Sequence, residues 1–304
     1  MIAFLFLLFL PPVSNAPDPA VRLRQCIDKR DRSCLVSELT SRPRSVSPEY
    51  WSAAAEAYLL LGRNTDAVTA MANAVRTRPG DFEMLIQQGR VYQRCGDQVH
   101  AIEAFLLAAK INPSPGVFYS MGLSFFLAHE YERAGKHFVH AVQLDNRNHK
   151  AAFMLAVIDV LKNHDNESAK SHLERALAVE PGNPHYLLHY GIVLSELDNP
   201  QAAEVLERAV KTDPANPLAR FNLGRLYRRM GEIRKARTEL ETAVRMRPQL
   251  ARAQYQLAAV YRELGDMDKA QQATEQFLKF RDQDRDDNPV DGPPSYAFPD
   301  QPAK

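Results

Sequence analysis

Apolar residues follow helical spacing along most of the chain, and the pattern recurs about every 34 residues from Pro48 onward. Each period holds two amphipathic runs separated by a short polar turn, and most periods end at a proline. This period is typical of a two-helix unit, and no segment alternates well enough to predict a strand. The pattern predicts an all-α chain of about seven helix-turn-helix repeats, at residues 48–81, 82–114, 115–149, 150–182, 183–216, 217–250 and 251–281.

Small residues recur at fixed positions within these units. Glycine or alanine is expected where two antiparallel helices cross closely, since a larger side chain would push them apart. Glycine in the turn between the helices supplies the left-handed residue that ends the first helix. The turn glycines are Gly62, Gly96, Gly231 and Gly265. One alanine occurs at the same place in every second helix: Ala67, Ala101, Ala134, Ala169, Ala202, Ala236 and Ala270.

The sixth unit shows the complete pattern, with Gly224, Tyr227, Ala236, Leu240, Ala243 and Pro248 in register. This pattern resembles the tetratricopeptide repeat family, and the resemblance covers about residues 48 to 280. It implies a right-handed superhelical solenoid whose role is protein–protein interaction. In this family the first helix of each unit lines a concave groove, and certain positions of that helix reach the ligand.

The resemblance places a set of partner-binding residues in the groove. They are polar in the second unit, apolar in the third and fourth, and basic toward the carboxyl end. The set is Arg90, Arg94, Tyr119, Leu123, Phe126, Met154, Ile158, Asn222, Arg225, Arg228, Arg229, Arg252 and Arg262.

Two interpretations stay open for the apolar stretch, which also includes Leu155. Either the side chains of a partner dock there, or tight curvature lets these residues pack on each other.

The basic stretch has two interpretations as well. The arginines and Asn222 suit an acidic extended peptide, since guanidinium groups pair with carboxylates and the asparagine hydrogen-bonds peptide backbone in the family. Alternatively, nearby carboxylates neutralise the arginines in a solvated ion-pair lattice. The carboxylates considered are Glu232, Glu239, Glu241 and Glu263.

Residues 1–16 are predicted to be a signal peptide. The run MIAFLFLLFL is too short to span a bilayer, and Ser14 and Ala16 are small residues ahead of a cleavage point. No basic residue precedes the run, so a membrane-surface segment or a misplaced start is the alternative. The prediction is a periplasmic or secreted protein with no membrane span in the mature chain.

Residues 17–47 are predicted to form a helical amino-terminal cap and linker. Cys26 and Cys34 either form a disulfide, which requires export to an oxidising compartment, or remain two reduced thiols. Residues 282–304 are rich in Asp and Pro, and we expect an acidic disordered tail.

Composition and motifs give no indication of catalysis. Lys and Arg (38) balance Asp and Glu (37) to a net charge of +1, which gives no reason to expect nucleic acid as a partner. There is no phosphate-binding loop, nucleophile elbow or Cys-x-x-Cys motif. His137 with His140, and His185 with His189, have the helical spacing of zinc ligands, but ordinary surface or groove histidines are the preferred interpretation. We therefore expect no catalytic, cofactor or metal site.

The sequence thus predicts a non-catalytic scaffold or adaptor. It would bind a peptide or protein, including one with an acidic segment, in the bacterial envelope or outside the cell. The alternative is a substrate-recruiting or regulatory subunit of an enzyme complex that acts in trans.

Overall fold

The computed structural model describes residues 17–41 and 46–281. The predicted signal peptide and the predicted tail lie outside these residues. Within them the chain forms sixteen α-helices and one π-helical turn, with no strand. This confirms the predicted all-α fold. The described residues divide into two compact units, with the boundary between residues 112 and 113, and each unit is described by itself.

The first unit contains six helices. The short hairpin of α1 and α2 precedes two longer pairs, and α1 packs against α3. Pro48 is the first residue of α3, where a backbone N–H would have no partner within the helix. The Ser47 hydroxyl caps the helix by accepting a hydrogen bond from the amide of Tyr50 at 3.2 Å. The helices are α1 (Pro19–Asp28), α2 (Arg32–Thr40), α3 (Pro48–Leu60), α4 (Asn64–Thr77), α5 (Phe82–Arg94) and α6 (Gln98–Ile111).

Cys26 of α1 and Cys34 of α2 are joined by a disulfide, with their Cα atoms 5.6 Å apart. Cys26 is buried, whereas Cys34 is half-buried. Arg22 and Glu38 form an ion pair between the same two helices, at 3.0 Å from Nε to Oε2. The disulfide and the ion pair hold α2, whose one buried residue is Leu35, against α1.

The second unit contains five helix pairs. Each first helix packs against its own second helix, and each second helix packs against the first helix of the next pair. Helix α9 begins one residue before the predicted repeat boundary and runs into a π-helical turn, Asp159–Asn163. The helices are α7 (Pro115–Leu127), α8 (Tyr131–Leu144), α9 (His149–Ile158), α10 (Asn166–Val179), α11 (Pro184–Glu196), α12 (Ala202–Thr212), α13 (Pro217–Arg229), α14 (Ile233–Met246), α15 (Ala251–Glu263) and α16 (Met267–Phe280).

The turns inside the pairs confirm the expected left-handed residue. Gly62, Gly96, Gly231 and Gly265 have φ of +75°, +82°, +79° and +80°. Where the sequence has no glycine, His129, His164 and Asp198 take the same conformation at φ of 60°, 51° and 50°. A side chain at these positions costs free energy that glycine avoids.

The close helix crossings also agree with the prediction. A Cβ atom added to Gly122 would lie 2.7 Å from Cε1 of Phe138. One added to Gly224 would lie 2.7 Å from Cγ of Leu240. Both distances are well inside van der Waals contact, so each glycine sets how closely its two helices approach.

A tyrosine–glutamate hydrogen bond joins neighbouring pairs in the second unit. The hydroxyl of Tyr227 donates to Glu207 at 2.5 Å, and that of Tyr261 donates to Glu241 at 2.9 Å. Each tyrosine is on a first helix and each glutamate is on the second helix of the preceding pair. Burial, reinforced by the glutamate, raises the pKa of Tyr261 to about 12.

Candidate functional site

Three successive first helices, α11, α13 and α15, line an open polar cavity of about 360 Å³. We call it the arginine pocket. Arg225, Arg228 and Arg229 occupy one face of α13 because they are three and four positions apart. The flanking helices contribute residues roughly one repeat earlier and one repeat later. The lining residues are Ser195, Glu196, Arg225, Leu226, Arg228, Arg229, Gln256 and Glu263.

Two of the arginines are paired with carboxylates from neighbouring helices. Nη2 of Arg225 lies 2.7 Å from Oε1 of Glu196 on α11. Nε of Arg228 lies 2.8 Å from Oε1 of Glu263 on α15, and its Nη1 donates to Oε1 of Gln256 at 3.0 Å. The two pairs connect α13 to both flanking helices.

Arg229 is held differently. Its Nη2 donates to the backbone carbonyl of Ser195 and, at 2.9 Å, to the hydroxyl of the same residue. Ser195 is buried, whereas Asp198, 3.5 Å from Nη2, is 85% exposed. Arg229 is therefore anchored to the end of α11 by its contacts with serine rather than by a strong ion pair.

The pocket is nearly balanced in charge, and the ion pairs within it are weak. The side chains of Arg225 and Arg228 are 37% and 33% exposed, and those of their glutamate partners are exposed to a similar extent. Ion pairs at such positions contribute between zero and about 1 kcal/mol each. A guanidinium carries five N–H donors, so an arriving carboxylate can bind an arginine beside, or in place of, its internal partner.

Of the four carboxylates considered from the sequence, Glu263 lines the arginine pocket and pairs with Arg228. Glu232 pairs with Lys235 at 3.7 Å and Glu241 with Arg237 at 3.7 Å. Glu239 pairs with Arg220 at 2.9 Å. Glu196 and Asp198 also reach the arginines, and they were not among the carboxylates considered from the sequence. Their position, about one repeat before the arginines, was the signal that would have found them.

Asn222, predicted to bind a peptide backbone, is buried. It is 7% exposed, and its Nδ2 donates to the carbonyl of Leu218, one turn earlier in α13, at 2.8 Å. The side chain is satisfied within its own helix and is not presented to a peptide backbone.

Arg252 and Arg262 do not line the pocket. The guanidinium carbon of Arg252 lies 6.0 Å from the centroid of the Phe221 ring. Arg262 is exposed, and its Nε donates to the carbonyl of Ala258 at 3.3 Å. Of the six residues predicted toward the carboxyl end, the structure brings together the three arginines of α13.

The apolar residues predicted in the third and fourth units are core residues. They are at most 6% exposed, because first helices α7 and α9 pack these side chains against their neighbours. The expectation of exposed apolar surface was wrong, and mutual packing, the second of the two interpretations, is what the structure shows. The buried residues are Leu123, Phe126, Met154, Leu155 and Ile158.

Tyr119 is half-buried, and its ring centroid lies 5.8 Å from that of Phe138. Burial raises the pKa of Tyr119 to about 12. This tyrosine also serves the packing of α7 on α8.

The two arginines predicted in the second unit belong to α5. Arg90 is exposed and Arg94 is half-buried. The nearby Ser52 of α3 donates its hydroxyl to Gln87 of α5, so the first helices of this unit are linked by a polar contact.

Several histidines, including members of both predicted pairs, pack against aromatic rings. His140 stacks on Phe118 with ring centroids 3.9 Å apart, and His189 meets Phe153 edge-on at 5.0 Å. Burial lowers the pKa of His189 to about 4, with a smaller contribution from His185. In the described part of the chain, no group of three or more His, Cys, Asp or Glu side chains is arranged to hold a metal ion.

None of the helices in residues 17–41 and 46–281 combines the length and apolarity needed to cross a bilayer.

Solved structures with the same fold include the hetero-tetramer Cut9–Hcn1 of the APC/C, at a TM-score of 0.61 and 15% identity over 81% of this chain and 49% of that one. Another is YrrB, described as a TPR protein with an unusual peptide-binding site, at a TM-score of 0.52 and 20% identity over 61% of this chain and 96% of that one. These likenesses show the fold alone.

A sequence relative is anaphase-promoting complex subunit 3 of Schizosaccharomyces pombe (strain 972 / ATCC 24843). The two are 29% identical over 123 residues, which is 40% of this chain and 18% of the relative. Family models described as tetratricopeptide repeat match residues 52–114, 154–217, 193–249 and 251–284. The helix pairs, their crossing glycines and these matches agree: the chain belongs to the tetratricopeptide repeat family.

Proposed function

We propose that this chain is a non-catalytic protein-interaction scaffold that binds a carboxylate-rich segment of a partner protein in the arginine pocket. The observation that carries the proposal is the face of α13, where three arginines border an open cavity of about 360 Å³ and remain partly exposed. Arginine forms paired hydrogen bonds with carboxylates, so an acidic segment fits this surface.

The internal carboxylates give the pocket a second property. Glu196 and Glu263 hold the arginines in place before a partner arrives, which reduces the conformational entropy lost on binding. Because these pairs are solvent-accessible, an arriving carboxylate can compete with them at small cost. Binding that depends on such contacts weakens as salt concentration rises.

The first test compares two variants of the full chain, each with three arginines changed to glutamate. The pocket variant carries Arg225→Glu, Arg228→Glu and Arg229→Glu. The matched control changes three exposed arginines of second helices, Arg175, Arg234 and Arg245. Crosslinking-assisted affinity purification from the native host should recover a specific partner with the parent and the control, but not with the pocket variant. Equal recovery with both variants would contradict the proposal.

A charge swap separates partner binding from structural support. Arg225→Glu alone puts two carboxylates together, whereas Arg225→Glu with Glu196→Arg restores the internal ion pair in reverse. We expect the double variant to regain the circular dichroism and thermal stability of the parent while its binding of a fluorescent twelve-residue oligoglutamate peptide stays at least about tenfold weaker. Recovery of peptide binding in the swapped variant would show that the pair supports the fold and does not bind the ligand.

We further propose that the scaffold acts in the bacterial envelope or outside the cell. The signal-like run of residues 1–16 and the disulfide between Cys26 and Cys34 support this location, because disulfides persist in oxidising compartments. Labelling of free thiols in intact host cells before and after reduction tests it. Cys95 is free, so one thiol should react before reduction and three after it. Three thiols that react without reduction would place the chain in a reducing compartment.

A further inference from the structure

Helix α6 is apolar on its outer side as well as on its inner side. The inner side, which includes Phe105 and Ala108, is buried and packs against α5. The outer side carries four apolar side chains that are 45–66% exposed, namely Val99, Leu106, Leu107 and Ile111. Half-buried Ile102 and the exposed Glu103 and Lys110 lie among them. We call this set of seven residues the α6 face.

Other second helices are polar where the α6 face is apolar. The position of Val99 holds Glu132 in α8, Glu167 in α10 and Arg234 in α14. The position of Leu107, six residues after the recurring alanine, is polar in all six other pairs: Asn73, His140, Arg175, Arg208, Thr242 and Gln276. A single exposed apolar residue needs no explanation, whereas a contiguous apolar patch marks an interaction surface.

The α6 face lies on the side of a second helix that neighbouring helices leave open. Helix α8 shows this, because it packs against both α7 and α9. Its residues at the positions of Val99, Glu103, Leu107 and Lys110 are nevertheless exposed; they are Glu132, Lys136, His140 and Gln143. The apolar side chains of α6 therefore occupy positions that the repeat itself keeps accessible.

The sequence of the α6 face is symmetric about its centre, with the charges exchanged. Residues 102–111 read IEAFLLAAKI, with an isoleucine at each end, Glu103 and Lys110 one position inside, and Leu106 and Leu107 at the centre. In an antiparallel pair of such helices, a two-fold axis places Glu103 of each copy opposite Lys110 of the other and leucine opposite leucine. A parallel pair would place like charges opposite each other.

We propose that the α6 face joins two copies of this chain as an antiparallel helix pair, with the two-fold axis between Leu106 and Leu107. The apolar side chains supply the buried area, and the two Glu103–Lys110 pairs fix the orientation. Helix α6 has 14 residues and is about 21 Å long. The contact is therefore smaller than a standard interface of about 1,200–2,000 Å², and we expect a dissociation constant in the micromolar range.

The inference goes beyond the proposed function, since the arginine pocket lies on first helices of the second unit. The α6 face belongs to a second helix of the first unit, and its partner is a second copy of the chain rather than an acidic segment.

Sedimentation velocity of the full chain over a wide range of micromolar concentrations tests the proposal, and the parent should form a dimer. Glu103→Lys alone and Lys110→Glu alone each place like charges opposite each other at both ends of the pair, and each should weaken self-association at least about tenfold. Mixing a fluorescently labelled Glu103→Lys chain with an unlabelled Lys110→Glu chain should restore dimers. One α6 face then carries two positive charges and the other carries two negative charges.

Helix α12 supplies the matched control. Glu204 and Lys211 occupy the positions of the two charges of the α6 face, but Glu207 and Arg208 occupy those of the two leucines. Glu204 is exposed, so Glu204→Lys makes the same change of charge outside the α6 face and should leave self-association unchanged. Circular dichroism of each variant checks that its helices are intact.

Four results would overturn the proposal. A parent chain that stays monomeric at the highest concentration would show that the α6 face does not pair, and single variants that dimerise as the parent does would place the interface elsewhere. A mixture of the two variants that stays monomeric would exclude the antiparallel pairing. Binding of a monomeric parent to vesicles of phosphatidylethanolamine and phosphatidylglycerol, lost in Leu107→Glu, would mean that the α6 face contacts a lipid surface instead.

Discussion

Gly122 of α7 gives the sharpest test of how the helix pairs are packed. We predict that Gly122→Ala destabilises the second unit although alanine is the better helix former. The added Cβ would lie 2.7 Å from Cε1, 2.8 Å from Cδ1 and 3.1 Å from Cγ of Phe138 on α8. Phe138 is fully buried, so its ring has no free space into which it can move.

The magnitude follows from two opposed contributions. Glycine to alanine in a helix interior gains about 1 kcal/mol in helix propensity. Inserting an atom into a well-packed core costs about 1–3 kcal/mol, and a clash with a rigid aromatic ring lies toward the upper end. We therefore expect a net loss of about 1–2 kcal/mol in the free energy of unfolding.

Gly116 is the matched control, because it lies in the same helix and a Cβ atom there would meet nothing within 4 Å. Gly116→Ala should therefore be neutral or stabilising by up to about 1 kcal/mol. Urea denaturation followed by circular dichroism, with amide exchange of α7 and α8 as a local probe, measures both variants. Phe138→Leu combined with Gly122→Ala should recover part of the loss.

Opposite signs for the two glycines are the essential result. If Gly122→Ala were as stable as Gly116→Ala, the crossing of α7 and α8 would not be limited by Phe138. The packing argument would then fail for the other crossing glycines, including Gly224.

Three further predictions follow from local geometry. His164→Gly should raise the free energy of unfolding by about 1 kcal/mol, because His164 has a left-handed φ of 51° that glycine adopts without strain. A lower free energy of unfolding in urea denaturation would contradict this prediction. The free energy of unfolding should fall as pH drops from about 6.5 toward 4, because burial lowers the pKa of His189 to about 4 and the unfolded chain binds the proton first. His189→Gln should reduce this dependence of stability on pH, as measured by thermal unfolding at a series of acid pH values. An unchanged dependence would exclude His189 as its source. Cys34→Ser should lower the free energy of unfolding by about 2–3 kcal/mol, because the disulfide no longer constrains the loop in the unfolded chain. The loss should appear as faster amide exchange in α1 and α2. A reductant should produce the same increase in the parent and no further increase in the variant.

The sequence by itself determined the helix pairs, because their signals are local. The apolar spacing, the turn glycines and the recurring alanines each act within one repeat of about 34 residues. The resemblance to the tetratricopeptide repeat family assigned Arg225, Arg228 and Arg229 to the groove. Helical geometry agrees, because it brings residues three and four positions apart onto one face of α13.

Only the tertiary structure decided which side chains meet across repeats. Glu196 and Glu263 reach the arginines from helices about one repeat away, at distances set by how successive pairs stack. Leu123, Met154 and Ile158 are buried for the same reason: the angle between neighbouring pairs closes space that a single repeat leaves open. That angle depends on the fit of side chains contributed by four helices at once, so it is not encoded in the period of any one of them.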